Sequence, residues 1–276
     1  MFSECLSFGG LGLRISGETP WQQSPVCAPF RTAGESAEHE IYVAISSALP
    51  APPENAVSSR GCYRWRCGAE RHMLHDNSFN TSYSVTRGNV TELILSPHYA
   101  ENLRTQLILE EADLFDVLAE RGMLVLHSSY VLRAEGDAIL FSGASGIGKS
   151  TQAELWREFA AARVINGDRS LVDVDRGMAH GIFYSGTSGI CENHSAPIRA
   201  IVLPEQAGEN SVTAAGHREA FMRLINQCAY YPWDADSASE MTELVARLVG
   251  RVPVYRLRCR KDEGAVRALE NELRRE

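Results

Sequence analysis

The sequence ILFSGASGIGKSTQAELW, residues 139–156, changes character twice and decides how the second half of the chain is interpreted. An apolar run gives way to a turn rich in glycine and serine, and that turn gives way to a segment with helical spacing. We therefore predict a strand over residues 138–142, then a loop, then a helix over residues 150–162.

The loop matches the pattern G-x-x-x-x-G-K-[ST] from Gly143 to Ser150. Glycines accept positive φ and carry no Cβ, so successive N–H groups can turn toward an anion. The following helix adds the positive end of its dipole. A plain glycine-rich turn is the alternative, but the flanking strand and helix favour a phosphate-binding loop. The predicted nucleotide contacts are Gly143, Ser145, Gly146, Ile147, Gly148, Lys149, Ser150 and Thr151.

Two side chains of this loop have assigned tasks in the motif. Lys149 reaches the β- and γ-phosphates, and the Ser150 hydroxyl ligates Mg²⁺. A carboxylate at the end of a neighbouring strand normally completes the metal site. Asp168 is the best candidate, because it follows the apolar strand "RVI" one helix beyond the loop. A plain turn residue in "NGDR" is the alternative for Asp168. Asp173 and Asp175 lie in an alternating hairpin, where we expect them to face solvent.

The composition limits the other function classes. The chain has 276 residues, 44% of them hydrophobic, and a net charge of −8 that does not favour nucleic acid. No apolar stretch approaches the ~20 residues of a membrane span. The N-terminus has no basic region followed by an apolar core, so we expect no signal peptide and a cytoplasmic protein.

Seven cysteines are scattered along the chain. A zinc site built from Cys62, Cys67, His72 and His75 is one reading of "CYRWRC" and the residues after it. The alternation of this segment favours the other reading, a strand that carries reduced thiols.

The chain divides into a β-rich region over residues 1–110 and a mixed α/β domain over residues 111–276. The first region contains alternating strand patterns and a Pro/Ser-rich loop over residues 46–61. A helix over residues 100–121, with an apolar stripe from Leu103 to Leu118, ends at Gly122. Beyond it we predict two hairpins, which turn at 135–137 and 175–177, and three strands over 163–166, 196–204 and 252–260. Three further helices are predicted over 217–231, 237–250 and 262–276. The second of these has a capping box at Ser237 and Glu240.

The order "LHSSYVL", "ILFSGASGIGKST", "RVINGDR" resembles the catalytic domain of HPr kinase/phosphorylase, which shares its core with ATP-dependent phosphoenolpyruvate carboxykinase. The resemblance covers about residues 120–205. It implies a P-loop kinase core, ATP and Mg²⁺ as cofactors, and an active-site role for His127. A core histidine on an interior strand is the alternative for His127.

The resemblance also implies roles for residues beyond the loop. Asp168 stands in place of an Asp pair and becomes a general base, a metal ligand or both, while Gly167 replaces the first Asp. Glu192 falls where the family has a metal-linked Glu, and Arg256 where it has a basic active-site residue. A solvated loop Glu and a solvent-facing strand Arg are the alternatives. "YSGTSGICENHSAPIRAIVL" replaces the family's HPr-contact segment, so HPr is not the expected substrate.

The whole chain resembles a subfamily of small bacterial HPr-kinase-like proteins, some of which phosphorylate a serine of a ribosomal peptide. The expected function is therefore an ATP- and Mg²⁺-dependent kinase acting on a hydroxyl of a peptide or small protein. The alternative is a nucleotide-binding regulatory or scaffold protein without phosphotransfer, and a carboxykinase ranks third. The N-terminal region is expected to recognise a peptide by strand addition or to cap the core.

Overall fold

The computed structural model describes residues 1–34, 37–77 and 80–275. It divides them into two compact units. The first unit contains residues 1–117 together with residues 231–238, and the second contains the remaining described residues. The chain is thus of mixed α/β class, as predicted, and the short return of residues 231–238 to the first unit has no counterpart in the sequence-based division.

The first unit is built on a sheet of eight strands in the order β1-β2-β3-β8-β7-β6-β5-β4. The β6–β7, β7–β8 and β5–β6 pairs are antiparallel, whereas β3 runs parallel to both β2 and β8. The strands are β1 (Phe2–Phe8), β2 (Leu11–Gly17), β3 (His39–Ile45), β4 (Val57–Ser59), β5 (Cys62–Cys67), β6 (Glu70–Asn77), β7 (Asn80–Arg87) and β8 (Val90–Leu95).

The helix predicted over residues 100–121 is wrong as a single element. The segment forms α1 (Thr105–Glu111) and α2 (Leu114–Ala119), preceded by a short 3₁₀ helix over Pro97–Asn102. The break lies at Asp113, whose φ of 53° is left-handed and interrupts the helical hydrogen bonds. Gly122 has the left-handed φ of 73° expected of a helix-ending glycine, but α2 already ends at Ala119, so Gly122 is not its C′ residue.

The second unit contains the eight remaining strands and four helices. The strands are β9 (Met123–Leu132), β10 (Ala138–Ser142), β11 (Arg163–Asn166), β12 (Arg169–Asp173), β13 (Met178–His180), β14 (Ser195–Gln206), β15 (Ser211–Ala214) and β16 (Val254–Cys259). The helices are α3 (Lys149–Phe159), α4 (His217–Ile225), α5 (Ala235–Arg251, whose first residues belong to the first unit) and α6 (Glu263–Leu273).

The strand order in this unit is β10-β9-β12-β13-β14-β16-β15, with β11 also pairing with β9. Because β10 additionally pairs with β14, the pairings from β10 through β14 return to β10 and close a ring. Both predicted hairpins, β9–β10 and β12–β13, are confirmed as antiparallel pairs.

Helices cover both faces of this sheet, which explains the uninterrupted apolar run of β10. Ile139 and Phe141 belong to a core cluster with Trp156 of α3 and Leu269 of α6. Leu140, between them, belongs to a second cluster with Leu248 of α5. Successive residues of a strand point to opposite faces, so a strand buried on both sides must be apolar throughout.

Several sequence-based details in this half need correction. The helix predicted over 217–231 ends at Ile225, and α5 begins at Ala235. Ser237 is not its cap: Asp234 Oδ1 accepts the N–H groups of Asp236 (3.0 Å) and Ser237 (3.4 Å) instead. Asp173 is buried and bonds the Arg176 N–H within its turn, so only Asp175 of that pair is exposed. The last helix ends at Leu273, and its predicted end at residue 276 lies outside the described residues.

Candidate functional site

The glycine-rich segment forms a tight loop between β10 and α3, as predicted. Gly143, Gly146 and Gly148 have φ of 149°, 79° and 118°, values that glycine adopts without strain. Gly148 directly precedes α3, so the loop delivers the chain onto a helix N-terminus. The predicted contact residues thus form one continuous turn with the orphan N–H groups of a helix at its end.

Lys149 is buried, and its ammonium lies over the loop. Nζ donates to the carbonyl oxygens of Gly143 (2.8 Å) and Ala144 (3.2 Å). Burial lowers the pKa of Lys149, and the negative charge of Asp168 partly opposes that shift. Ser150, the next residue, is exposed at the start of the helix. The ammonium of Lys149 and the exposed hydroxyl of Ser150 therefore belong to adjacent residues at the end of the loop.

Strand β9 lies between the loop and Asp168. Ser142, at the end of β10, pairs with Ser128 of β9. On the opposite edge of β9, the Ser128 N–H donates to the Asp168 carbonyl (2.9 Å). Two strand spacings, roughly 10 Å, therefore separate the backbone of Asp168 from the start of the loop. Lys149 and Asp168 extend into this interval from its two sides and interact electrostatically.

His127 approaches the Asp168 carboxylate. The distance from His127 Nε2 to Asp168 Oδ1 is 3.6 Å, and Arg169 Nε lies 3.6 Å from the other carboxylate oxygen. Burial lowers the pKa of His127, as do the charges of Lys149 and Arg169, although Asp168 and Gln227 act in the opposite direction. His127 is consequently neutral near pH 7 and has a nitrogen that can accept a proton.

Two cavities of about 300 Å³ each open at this place. The first is lined by His127, Asp168 and Arg169, and the second by Gly143, Ala144 and Ile147 of the loop together with Leu203, Pro204 and Met222. Asn226 and Gln227, which follow α4, line both cavities. The sequence analysis missed these two amides, because nothing local distinguishes them from ordinary residues after a helix.

Glu192 is not brought into this arrangement. Its carboxylate pairs with Arg163, and its N–H donates to the Ile165 carbonyl (2.9 Å) near the end of β11. Asp168 lies three residues beyond Ile165, past the end of β11 at Asn166. The Glu192 carboxylate is thus held by Arg163 at the surface, in line with the alternative of a loop Glu, and neither cavity described above includes Glu192 among its lining residues.

Arg256 lies on β16 opposite Leu203 and faces Glu219 of α4, with Nε 3.6 Å from Oε1. Its side chain is partly exposed. Neither cavity described above includes Arg256 among its lining residues.

A contact with Ser188 explains why position 167 carries glycine, where the family that the sequence resembles has an Asp. A Cβ on Gly167 would lie 2.0 Å from Ser188 Oγ and 2.7 Å from Ser188 Cβ. Gly186 similarly packs against Asp168, since a Cβ there would lie 2.6 Å from the Asp168 Cβ. The segment after β13 therefore closes tightly over both residues and leaves no room for a second carboxylate.

The zinc alternative finds no support in the described part of the chain. In the β5–β6 hairpin Cys62 pairs with His75, but Cys67 pairs with Glu70 and His72 with Trp65. The ring of His72 stacks on Trp65 with centroids 5.1 Å apart. Among the described residues, no three His, Cys, Asp or Glu side chains are arranged so that they could hold a metal ion.

Comparisons with protein families and curated proteins do not indicate a function for this chain, so a functional assignment depends on the site alone. Neither the protein-family models nor the curated proteins contain a match to this chain. Among the described residues, no helix is both long enough and apolar enough to cross a bilayer.

Proposed function

We propose that this protein is a P-loop kinase of the HPr kinase/phosphoenolpyruvate carboxykinase type, which transfers the γ-phosphoryl group of ATP to a hydroxyl. The observation that carries the proposal is the proximity of the His127–Asp168 pair to Lys149 of the glycine-rich loop. Lys149 and the loop amides follow β10 at one edge of β9, His127 lies on β9 itself, and Asp168 lies at the other edge of β9.

The loop side binds and stabilises charge. The N–H groups from Gly143 to Thr151 and the α3 N-terminus contact the phosphates, and Lys149 balances the charge that develops on the transferred group. The ammonium now bonds the carbonyls of Gly143 and Ala144. These bonds hold it at the loop without a carboxylate partner, which suits a group that binds an anion.

The residues that would hold Mg²⁺ are Ser150 and Asp168. Hard cations prefer oxygen ligands, which the exposed Ser150 hydroxyl and the partly exposed Asp168 carboxylate would supply. The ion would neutralise charge on the β- and γ-phosphate oxygens.

The acceptor side removes a proton. A hydroxyl that enters the cavity lined by His127, Asp168 and Arg169 gives its proton to Asp168 or to the neutral His127. Arg169 and the amides of Asn226 and Gln227 orient the acceptor. The proposed acceptor is a serine of a peptide or small protein, and this assignment rests on the sequence resemblance.

The test is phosphotransfer from γ-labelled ATP with Mg²⁺ to a library of serine, threonine and tyrosine peptides and to small hydroxyl compounds. Asp168→Asn should reduce transfer at least a hundredfold while nucleotide binding, measured by calorimetry, persists. Asp175→Asn is the matched control, because Asp175 is exposed and pairs with Arg247 outside both cavities.

The second candidate is a nucleotide-binding regulatory protein without transfer. The single carboxylate favours it, because Gly167 leaves no space for a second Asp. ATP binding without transfer to any hydroxyl in the library would select this candidate over the kinase. Absence of ATP binding would exclude both.

A further inference from the structure

A second cluster of reactive side chains lies in the first unit, in the row that crosses strands β5, β6 and β7. Cys62 pairs with His75, and His75 pairs with Ser82 on its other side. The three residues are direct cross-strand neighbours, so their side chains project from the same face of the sheet. Glu111 at the end of α1 reaches this row, as does Tyr99.

The strand register brings the thiol and the imidazole together. The Asp76 N–H donates to the Gly61 carbonyl at 2.7 Å, which makes Gly61 and Asp76 a hydrogen-bonded pair. Cys62 and His75 are therefore the next, non-hydrogen-bonded pair of an antiparallel ladder, in which side chains approach most closely. The thiol and the imidazole are therefore adjacent side chains, and Cys62 is among the groups that raise the pKa of His75.

Glu111 orients the histidine. His75 Nδ1 lies 3.0 Å from Glu111 Oε2, which leaves Nε2 for the thiol. Ser82 Oγ donates to the same carboxylate oxygen at 2.5 Å, and Tyr99 Oη donates to the other at 3.1 Å. Burial favours neutral forms here, yet these hydrogen bonds outweigh it and hold the pKa of Glu111 below its usual value. The Glu111 carboxylate is thus ionised and held by His75, Ser82 and Tyr99.

The row opens into a cavity of about 380 Å³. Cys62, His75, Tyr99 and Glu111 line it, and its rim carries polar groups from Ser59, Arg60, Asp76, Asn77 and Asn80. Cys62 is partly exposed, so a molecule in the cavity can reach its sulfur. The volume suits a small ligand, and the amide and guanidinium donors suit a carbonyl oxygen.

We propose that Cys62, His75 and Glu111 form a nucleophilic site that accepts an acyl group from a small ester or thioester. The Cys62 thiolate attacks the carbonyl carbon and forms a C–S bond. The bond to the leaving group breaks, and the His75 imidazolium gives its proton to that group. Glu111 holds the imidazole ring through Nδ1 in the manner of the third member of a catalytic triad.

The charge state of His75 supports this arrangement. Burial lowers the pKa of His75, but hydrogen bonds and charge from Cys62 and Glu111 outweigh it and raise the pKa to about 10. An imidazolium at this position can give a proton to the leaving group. The charged and titratable groups facing the pair are Glu111 from α1, Tyr99 from the preceding 3₁₀ helix, and Arg60 and Asp76 from the strand ends.

The first test compares two cysteines of the unmodified chain. Iodoacetamide is added without nucleotide, and alkylation of Cys62 and Cys67 is followed by peptide mass spectrometry between pH 5.5 and 9. Both residues lie on β5, and Cys67 is the more exposed. We expect Cys62 to react at least tenfold faster at pH 6.5, where an ordinary thiol is about 1% ionised. Equal rates, or faster reaction of Cys67, would overturn the proposal.

The second test uses His75→Gln, Glu111→Gln and Cys62→Ser, each checked for an unchanged thermal midpoint. The advantage of Cys62 should disappear in His75→Gln and decrease several-fold in Glu111→Gln. With 4-nitrophenyl acetate the unmodified chain should carry an acetyl group on Cys62, and Cys62→Ser should carry none on that peptide. Persistence of fast alkylation in His75→Gln, or acetylation spread evenly over the cysteines, would contradict the triad. No readout involves nucleotide, so failure here is separate from failure of the kinase.

Discussion

Gly167 shows how one backbone position determines the number of carboxylates at the site. Its φ is not in the left-handed region, so the requirement for glycine comes from the contact with Ser188. The Ser188 hydroxyl donates to the Ser185 carbonyl (2.7 Å) and accepts the Ile190 N–H (3.2 Å), so it cannot turn away without losing both bonds. Of positions 167 and 168, only Asp168 therefore supplies a carboxylate to the site.

A substitution at this position tests that explanation. Gly167→Ala should destabilise the chain by ~1–3 kcal/mol, because the added methyl group overlaps Ser188. The same change in a Ser188→Gly background should cost much less, since the opposing side chain is absent. Urea unfolding of the four proteins measures the coupling. Equal costs in both backgrounds would show that contact with Ser188 is not the reason for glycine.

The buried His180 makes stability depend on pH. Its Nδ1 bonds Ser195 Oγ at 2.7 Å, and burial lowers its pKa, with Arg176 adding to the shift and Asp173 opposing it. The unfolded chain then binds more protons than the folded chain below about pH 6.5, so acid reduces the free energy of unfolding.

We expect His180→Gln to weaken this loss between pH 6.5 and 5. His75, with its raised pKa, does not contribute there, because its stabilising effect is complete below about pH 6.5 and is lost only as the pH rises toward 10. Urea unfolding at both pH values gives the difference, with His217→Gln at an exposed position as the control. An unchanged acid dependence in His180→Gln would contradict the assignment.

Among the elements, those with local determinants were predicted and those with distant partners were not. The β9–β10 hairpin and the strand–loop–helix of residues 138–159 follow from neighbouring residues alone. The break at Asp113 depends on Arg64, 49 residues earlier, whose Nη1 donates to the Asp113 carboxylate at 3.1 Å. Ser237 could not cap α5 because its hydroxyl bonds Asp116, 121 residues away. Sequence patterns carry no signal for such partners.

Arg64 anchors these elements of the first unit. Its guanidinium bonds Asp113, Asp116 and Asp234 and lies 3.9 Å from the centre of the Tyr231 ring. Arg64→Met should reduce the free energy of unfolding by ~3–5 kcal/mol, because it leaves buried carboxylates without their partner. Arg66→Met, on the same strand, removes only the exposed pair with Asp236 and should cost under ~1 kcal/mol. Similar costs for the two variants would show that the cluster is not a structural anchor.

At the scale of the whole molecule, the sequence predicted two regions and a glycine-rich loop between a strand and a helix. It did not predict which other segments surround this loop and Asp168. The fold class, the loop and the proximity of Asp168 and His127 follow from motif order and strand ends. Asn226, Gln227 and the segment around Ser188 join the site only because α4 and the strands assemble around β9. Position along the chain likewise does not reveal that Arg163 holds the Glu192 carboxylate.

The proposed nucleotide makes a prediction for the stability of the molecule. A ligand that binds only the folded state at a hundredfold excess over its Kd stabilises by about 2.7 kcal/mol. For a chain of this size that corresponds to a rise in thermal midpoint of roughly 5–10 °C. Mg²⁺ with ATP should produce such a rise, and hydrogen exchange should slow in the amides from Gly143 to Thr151.

The two lysines of the chain supply the variant and its control. Lys149→Ala removes the ammonium over the loop and should abolish most of the midpoint shift, whereas Lys261→Ala, at an exposed position, should retain it. Burial makes Lys149 costly to hold without an anion, so Lys149→Ala should also be no less stable than the unmodified chain when nucleotide is absent. If ATP raises the midpoint equally in both variants, or slows exchange elsewhere but not in the loop, then Gly143–Thr151 is a structural turn and the proposed chemistry has no site.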